Sequence, residues 1–273
     1  MSVRWIVAAA LAALVGCADT SRPRPAPAGP TARQILVMDD ITAAFENHEV
    51  VPQYAAIENL RDGCGYTAGW IGFCTATGDL LEVVRRYDRA RADNPLRPYT
   101  GRLQSLAHAQ SDRVGDLGDG FPAAWRRAAA DPVFRRTQLA VGHDRYLTPA
   151  VAMAKRQGIT TALGVENLFD TALQSGPSES DCAGMPQTVR RTNNAVGGSP
   201  ATGVGERRWL AAYNEIRTHQ LKSPCVPGRE ADWPESVDRV AALNELARAG
   251  NWNLDPPVHL GSDVLLTITH PTD

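Results

Sequence analysis

Residues 54–79 read YAAIENLRDGCGYTAGWIGFCTATGD, with carboxylates interleaved among glycines and aromatic rings. Asp62-Gly63-Cys64-Gly65 has the composition of a tight turn, and Tyr66 to Phe73 that of a short strand rich in aromatic and β-branched residues. Asp79 then opens a helix through Leu80, Leu81, Val83, Val84 and Tyr87, with Glu82 at the position that completes a capping box. Turn, strand and helix with carboxylates at their joints are the parts of a cleft that binds sugar.

The same acidity extends on both sides. Between Gln34 and Glu82 stand Asp39, Asp40, Glu46, Glu49, Glu58, Asp62, Asp79 and Glu82 against one base, Arg61, although the whole chain carries only −2. The imbalance predicts a local negative field suited to a cationic ligand. Upstream, Thr31 to Asn47 places Ile35, Met38, Ile41 or Thr42, and Phe45 at helical spacing, with Asp39, Asp40 and Glu46 off that stripe. Downstream, helices are expected at about 121–137, 148–157, 161–174, 205–221 and 235–249, and a further strand at Val264 to Thr269. The fold class is therefore mainly α, with a small sheet beside a cleft.

At 273 residues the chain suffices for one domain or two lobes sharing a core. Residues 1–16 combine Arg4 with an apolar run from Trp5 to Val15, ordered like a signal peptide. The run closes as Leu14-Val15-Gly16-Cys17, which resembles a bacterial lipobox and makes Cys17 the expected lipidation site. Residues 17–32 then form a tether: four prolines among small and polar residues from 18 onward cannot bury enough apolar surface to fold. In polyproline geometry it would reach about 45 Å at roughly 3.1 Å per residue. The domain proper is residues 33–273, exported and anchored to the cell membrane through the lipid. Export permits disulfides, and Cys64, Cys74, Cys182 and Cys225 allow three full pairings. Cys182 and Cys225 flank a Gly- and Pro-rich region and are the favoured bridge, while Cys74 in an apolar strand is expected as a buried free thiol.

Missing motifs narrow the chemistry. The chain has no Gly-x-x-x-x-Gly-Lys phosphate loop, no Gly-x-Ser-x-Gly elbow and no His pair at zinc spacing. Its 28 basic residues are dispersed, which gives no stripe for nucleic acid. No cofactor and no metal are expected. What the acidic segment offers is a pair of carboxyls in different settings, Glu46 at a helix edge and Asp62 in a glycine-bounded turn. Hydrolysis of a glycosidic bond uses such a pair, one to protonate the leaving oxygen and one to activate water or attack carbon.

The residues Glu46-Asn47, Gln53-Tyr54, Ile57-Glu58, Asp62-Gly63, Gly65 to Gly69, Ile71 to Cys74 and Thr77-Gly78-Asp79 resemble the catalytic region of the chitosanases of glycoside hydrolase family 46. The likeness continues in Asp170 to Leu173, Asn214 to Arg217, Ala249 to Leu254 and Pro256-Pro257, and so covers about residues 33–260. The resemblance implies a lysozyme-like fold of two helical lobes, usually monomeric, that hydrolyses β-1,4-linked glucosamine polymer from within and with inversion. It implies Glu46 as general acid, Asp62 as general base and Thr67 as the residue that helps hold the attacking water. Asp79, together with Tyr54, is implied as a substrate contact, and Asp170 and Arg217 as members of a buried ion network behind the acid. Two positions depart from the family pattern. Cys64 stands where an arginine is common, and Asn244 where the network's second arginine belongs, with Arg239 available as its substitute.

Two rival readings stay open on sequence alone: a lysozyme-like hydrolase of another amino-sugar polymer, and a cell-surface glycan-binding protein with weakened catalysis. The anchor is testable directly. Cys17→Ala should shift the protein from the membrane fraction to the soluble exported fraction with unchanged specific activity, because the lipid supplies membrane affinity in proportion to its buried methylenes.

Overall fold

The computed structural model of the protein describes residues 29–261 and 264–272; the segment 1–16, Cys17 and the tether as far as residue 28 lie outside them. Thr31 caps helix α1 (Ala32–Asn47). Its Oγ1 accepts the Gln34 N–H at 3.3 Å while Gln34 Oε1 accepts the Thr31 N–H at 2.9 Å, which satisfies two of the orphan donors of a helix start. His48 ends the helix in the left-handed region at φ 55°. Every residue from Val37 to Ala44 is buried, because α1 packs against both α7 (Ala162–Ser175) and the C-terminal strand β5 (Leu266–Ile268). This corrects the expectation that Asp39 and Asp40 stand off the packed stripe: a helix enclosed by neighbours has no solvent face at its middle. Each of the two finds a polar partner instead, Asp39 Oδ1 with His143 Nε2 at 2.7 Å and Asp40 Oδ2 with the Thr272 N–H at 2.9 Å.

The segment 54–79 folds as a three-stranded antiparallel sheet, β1 (Ile57–Glu58), β2 (Thr67–Ala68) and β3 (Phe73–Cys74), in that order. Tyr66 to Phe73 is therefore not one strand. Gly69 at φ 78° and Gly72 at φ 69° reverse the chain inside it, the Gly72 N–H reaching the Gly69 carbonyl at 3.2 Å, and Thr67 pairs with Cys74. Folding back in this way brings Cys74 to Cys64, and the two form a disulfide; the expectation of a free Cys74 thiol is wrong. A second disulfide joins Cys182 to Cys225.

One lobe packs α2 (Asp79–Ala90), α3 (Thr100–Ala109), α4 (Gly120–Ala129) and α5 (Pro132–Gly142) around the sheet. Its centre is aromatic, with Trp125 edge-on to Phe134 at 4.9 Å and Phe134 against Tyr87 at 4.8 Å. The helix expected over residues 121–137 is split in two, since Asp131 takes an extended conformation before Pro132 and accepts the Val133 N–H at 2.8 Å. A residue before proline disfavours the helical region, and proline itself suits the first helical position. A π-helical turn at His143–Leu147 leads into α6 (Thr148–Gln157) and then α7.

The other lobe is α7 ringed by α8 (Met185–Val196), α9 (Glu206–Lys222) and α10 (Val237–Arg248). A hairpin of β4 (Val258–Leu260) with β5 joins α10 to α1. From Ala162 to Ala172 α7 is buried all round. Helix α8 escaped the sequence reading because two of its inward residues, Thr188 and Thr192, are polar and interrupt the apolar stripe of Met185 and Val189. Two mainly helical lobes, one of them carrying a small sheet, is the architecture of the lysozyme-like class.

The approach of the sheet to α5 depends on Gly69. A Cβ there would lie 2.3 Å from Gln138 Oε1, on a backbone already at positive φ. Gly69→Ala should lower the unfolding free energy by about 2–4 kcal/mol, a left-handed penalty plus overpacking. Urea denaturation checks this, and a loss under about 1 kcal/mol would show that the sheet can withdraw from α5.

Candidate active site

Glu46 sits on the last turn of α1 with its side chain 27% exposed, and its Oε1 accepts a charged hydrogen bond from Arg239 Nη2 at 2.5 Å. Arg239 comes from α10, is buried, and packs its guanidinium over the Phe45 ring at 5.1 Å. Its Nε faces Asp170 Oδ1 at 3.4 Å, and Asp170 Oδ2 pairs with Arg217 Nη2 at 2.5 Å, both of those side chains being at most 2% exposed. Burial works against the charge of Arg239, yet Asp170 and Glu46 more than offset it and raise its pKa. Arg239 is thus the second arginine behind Glu46. Asn244 is not in the network and instead accepts a hydrogen bond from Asn214 Nδ2 at 2.9 Å.

One further member had not been singled out in the sequence. Glu166, one turn before Asp170 on α7, is fully buried, and neither of its oxygens has a hydrogen-bond partner. Burial raises its pKa well above the ordinary value, and the charges of Asp170 and Asp39 push it further against the opposing pull of Arg217 and Arg239. Its surroundings therefore favour the protonated form of Glu166. The available signal was a lone Glu inside Ala-Leu-Gly-Val-Glu-Asn-Leu-Phe, a stretch apolar on nearly every side.

Asp62 is exposed in the turn before β2, its Oδ1 accepting the Cys64 N–H at 3.1 Å. Glu46, Asp62 and Thr67 line one cavity of about 310 Å³, shared with Cys64, Gln174, Arg229, Asp232, Trp233 and Arg239. The Thr67 hydroxyl oxygen is buried and has no partner among the described residues. A neighbouring cavity of about 380 Å³, lined by His48, Glu235 and Asp238, shares Glu46, Asp232, Ser236 and Arg239 with the first. A groove therefore runs past Glu46 between the sheet of one lobe and the 229–239 segment of the other.

The acidity of that groove differs from the sequence expectation. Asp39, Asp40 and Asp79 are buried, and Glu82 is tied to Arg86 and, at 2.8 Å, to Arg145. Glu235 and Asp238 replace them from the far wall, beside Asp232, which pairs with Arg229 at 2.7 Å. Asp79 is the first residue of α2, capped by Gly78 without a side-chain bond, so the expected capping box with Glu82 is absent. Its Oδ1 instead accepts from the Cys74 N–H at 2.7 Å, the Leu80 N–H at 2.8 Å and the Thr77 hydroxyl at 2.9 Å, and burial raises its pKa in spite of them. It does not line the Glu46 cavity. Tyr54 is elsewhere too, in a cavity with Arg135 and Thr272, its phenol pushed up to about 12 by burial. Glu49 and Glu58 are exposed outside the cavity. Among the described residues no cluster of three or more His, Cys, Asp or Glu could hold a metal, and no helix is long and apolar enough to cross a membrane.

A two-lobed helical fold with two carboxyls lining one groove is an arrangement suited to glycoside hydrolysis. A family model described as glycosyl hydrolase family 46 matches residues 40–258, and the chain belongs to that family. It is 38% identical over 225 residues to a chitosanase of Bacillus subtilis (strain 168), covering 82% of this chain and 80% of that protein. A chitosanase of Streptomyces sp. (strain N174) is 33% identical, with 76% of this chain and 70% of that protein covered. Among solved structures, a Gynuella sunshinyii family 46 chitosanase in complex with chitotetraose superposes with a TM-score of 0.80 at 39% identity, over 89% of this chain and 99% of the other. The native chitosanase of Bacillus subtilis MY002 gives 0.82 at 37% identity, over 88% and 100%.

The Glu166 proton makes stability depend on pH. The folded state holds it to higher pH than the unfolded chain, so its contribution is full below the ordinary value of 4.5 and is lost as pH rises above it. Urea denaturation of wild type and Glu166→Gln between about pH 4.5 and about pH 8 should show the wild type losing stability relative to the variant. A pH-independent difference would mean that Glu166 is ionised in the fold.

Proposed function

We propose that the protein is an endo-acting chitosanase that cleaves β-1,4-linked glucosamine polymer with inversion, Glu46 serving as general acid and Asp62 as general base. The observation that carries this reading is the shared cavity, lined by Glu46, Asp62 and Thr67, whose hydroxyl has no partner among the described residues. In a single displacement, water held by Asp62 and Thr67 attacks the anomeric carbon, Asp62 takes its proton, and Glu46 protonates the departing oxygen. An inverting pair needs about 6.5–9.5 Å between carboxyls to admit that water. Arg239 fixes the rotamer of Glu46, so the proton donor is held where the leaving oxygen must lie.

The substrate reading is supported by relatives solved with chitotetraose and with glucosamine oligomer, and by the acidic far wall of Asp232, Glu235 and Asp238. At neutral pH those carboxylates suit a polymer carrying protonated amines, whereas an uncharged sugar chain gains nothing from them. The same reading has the enzyme working outside the cytosol, tethered through Cys17, and is supported by its two disulfides, since such bridges persist in oxidising compartments.

Reducing-end release from soluble chitosan tests the proposal. Glu46→Gln and Asp62→Asn should each lower turnover by about 10²–10⁴-fold with the fold and chitosan binding retained. A wild type that binds chitosan without cleaving it would instead favour a glycan-binding protein.

A further inference from the structure

The two carboxyls of the cavity are held by different means. Glu46 leans on a buried arginine, but among the described residues Asp62 has no cation partner and one hydrogen bond, the 3.1 Å contact from the Cys64 N–H. The turn around it is exposed from Arg61 to Gly63, with Arg61 and Gly63 at positive φ and the Arg61 N–H held by Asn59 Oδ1 at 3.1 Å, and it is packed only from Gly65 onward. The residue that ties Asp62 to the sheet is Cys64, two positions along the turn. Its carbonyl accepts the Ala76 N–H at 3.1 Å and the Thr75 hydroxyl at 2.5 Å, and its sulfur is bonded to Cys74. Cys74 in turn is buried on β3, directly across the sheet from Thr67, and its N–H is held by Asp79 Oδ1 at 2.7 Å.

The geometry points to the Cys64–Cys74 disulfide as the positioning element for Asp62, a covalent clamp that fixes the base-bearing turn relative to Thr67 and the cavity. This rests on the reading of Asp62 as general base. Buried Asp79 is the anchor at the far end of the same device, which gives it a role its position outside the cavity otherwise leaves open. The clamp carries no proton and touches no reacting atom; it acts through Asp62. Opening it leaves Asp62 chemically intact on a turn free to move, and a displacement of the order of 1 Å in a catalytic group can cost about 10²-fold in rate.

The test compares the full-length wild type, Cys64→Ala/Cys74→Ala, Asp62→Asn and the triple variant. Opening the clamp should lower kcat on chitosan by about 10–100-fold, leave KM within about threefold, and leave far-UV circular dichroism unchanged. In the Asp62→Asn background it should cost nothing further, because there is no base left to position. In parallel, folded wild type is reduced stepwise with dithiothreitol, which delivers two electrons and two protons to each bridge it opens and is oxidised to its cyclic disulfide. With bridge occupancy read by mass spectrometry, activity should fall with the 64–74 bridge and not with the 182–225 bridge, and return on reoxidation. This arm decides the matter if the double variant does not fold. A wild-type kcat with the 64–74 bridge open, beside an inactive Asp62→Asn, overturns the inference alone; so does an equal loss in both backgrounds. A wild type that does not cleave chitosan, or an Asp62→Asn variant of normal turnover, overturns the functional reading beneath it.

Discussion

Asp170 and Arg217 meet in a space closed by α1, α7, α9 and α10, where a single charge would be very costly to bury. The cost is tolerable because the charges meet partners: Arg217 and Arg239 both face Asp170, Arg239 also reaches Glu46, and burial favours the neutral form of neighbouring Glu166. Removing one partner of such a set typically costs about 3–5 kcal/mol, since it strands the other. An apolar core could be as stable. What the charges add is direction, because Arg239 reaches both Asp170 and the exposed end of the set at Glu46.

That exposed end is the site. The network turns a surface carboxyl at the fraying end of a helix into one with a defined place in the groove. The opposite carboxyl is held by another route, a turn bridged to the sheet edge. Two lobes thus deliver one carboxyl each, one through a buried ion cluster and the other through a three-stranded sheet with two-residue strands. Around them the groove collects charge from both lobes, so that its acidity belongs to the tertiary fold and not to one stretch of chain.

Much of this was legible in the sequence where the cause was local. Thr31 and Gln34 mark the start of α1, the glycines at 63 and 65 mark the turn that bears Asp62, and the apolar spacing of α6, α7, α9 and α10 predicts those helices within a residue or two. The errors arose where a local signal was outvoted. Pro132 broke an apparently continuous helix, Gly69 and Gly72 folded one strand into two, and Asp39, Asp40 and Asp79 went inside because neighbouring elements covered them. Thr188 and Thr192 hid α8, since a buried hydroxyl bonded to its own helix counts as polar in any periodicity.

By itself, then, the sequence determined the helical class, the acidic turn and sheet, the family resemblance and Glu46 with Asp62 as candidates, because backbone preference and motif spacing are properties of short segments. The partners of those residues were decided only by the tertiary structure. Arg239 lies 193 residues from Glu46, the carboxylates of the far wall come from a segment with no catalytic pattern of its own, and Cys74 met Cys64 only once the chain had doubled back. Burial and charge balance are properties of the whole packing. No stretch of chain encodes, on its own, how much water its neighbours will remove.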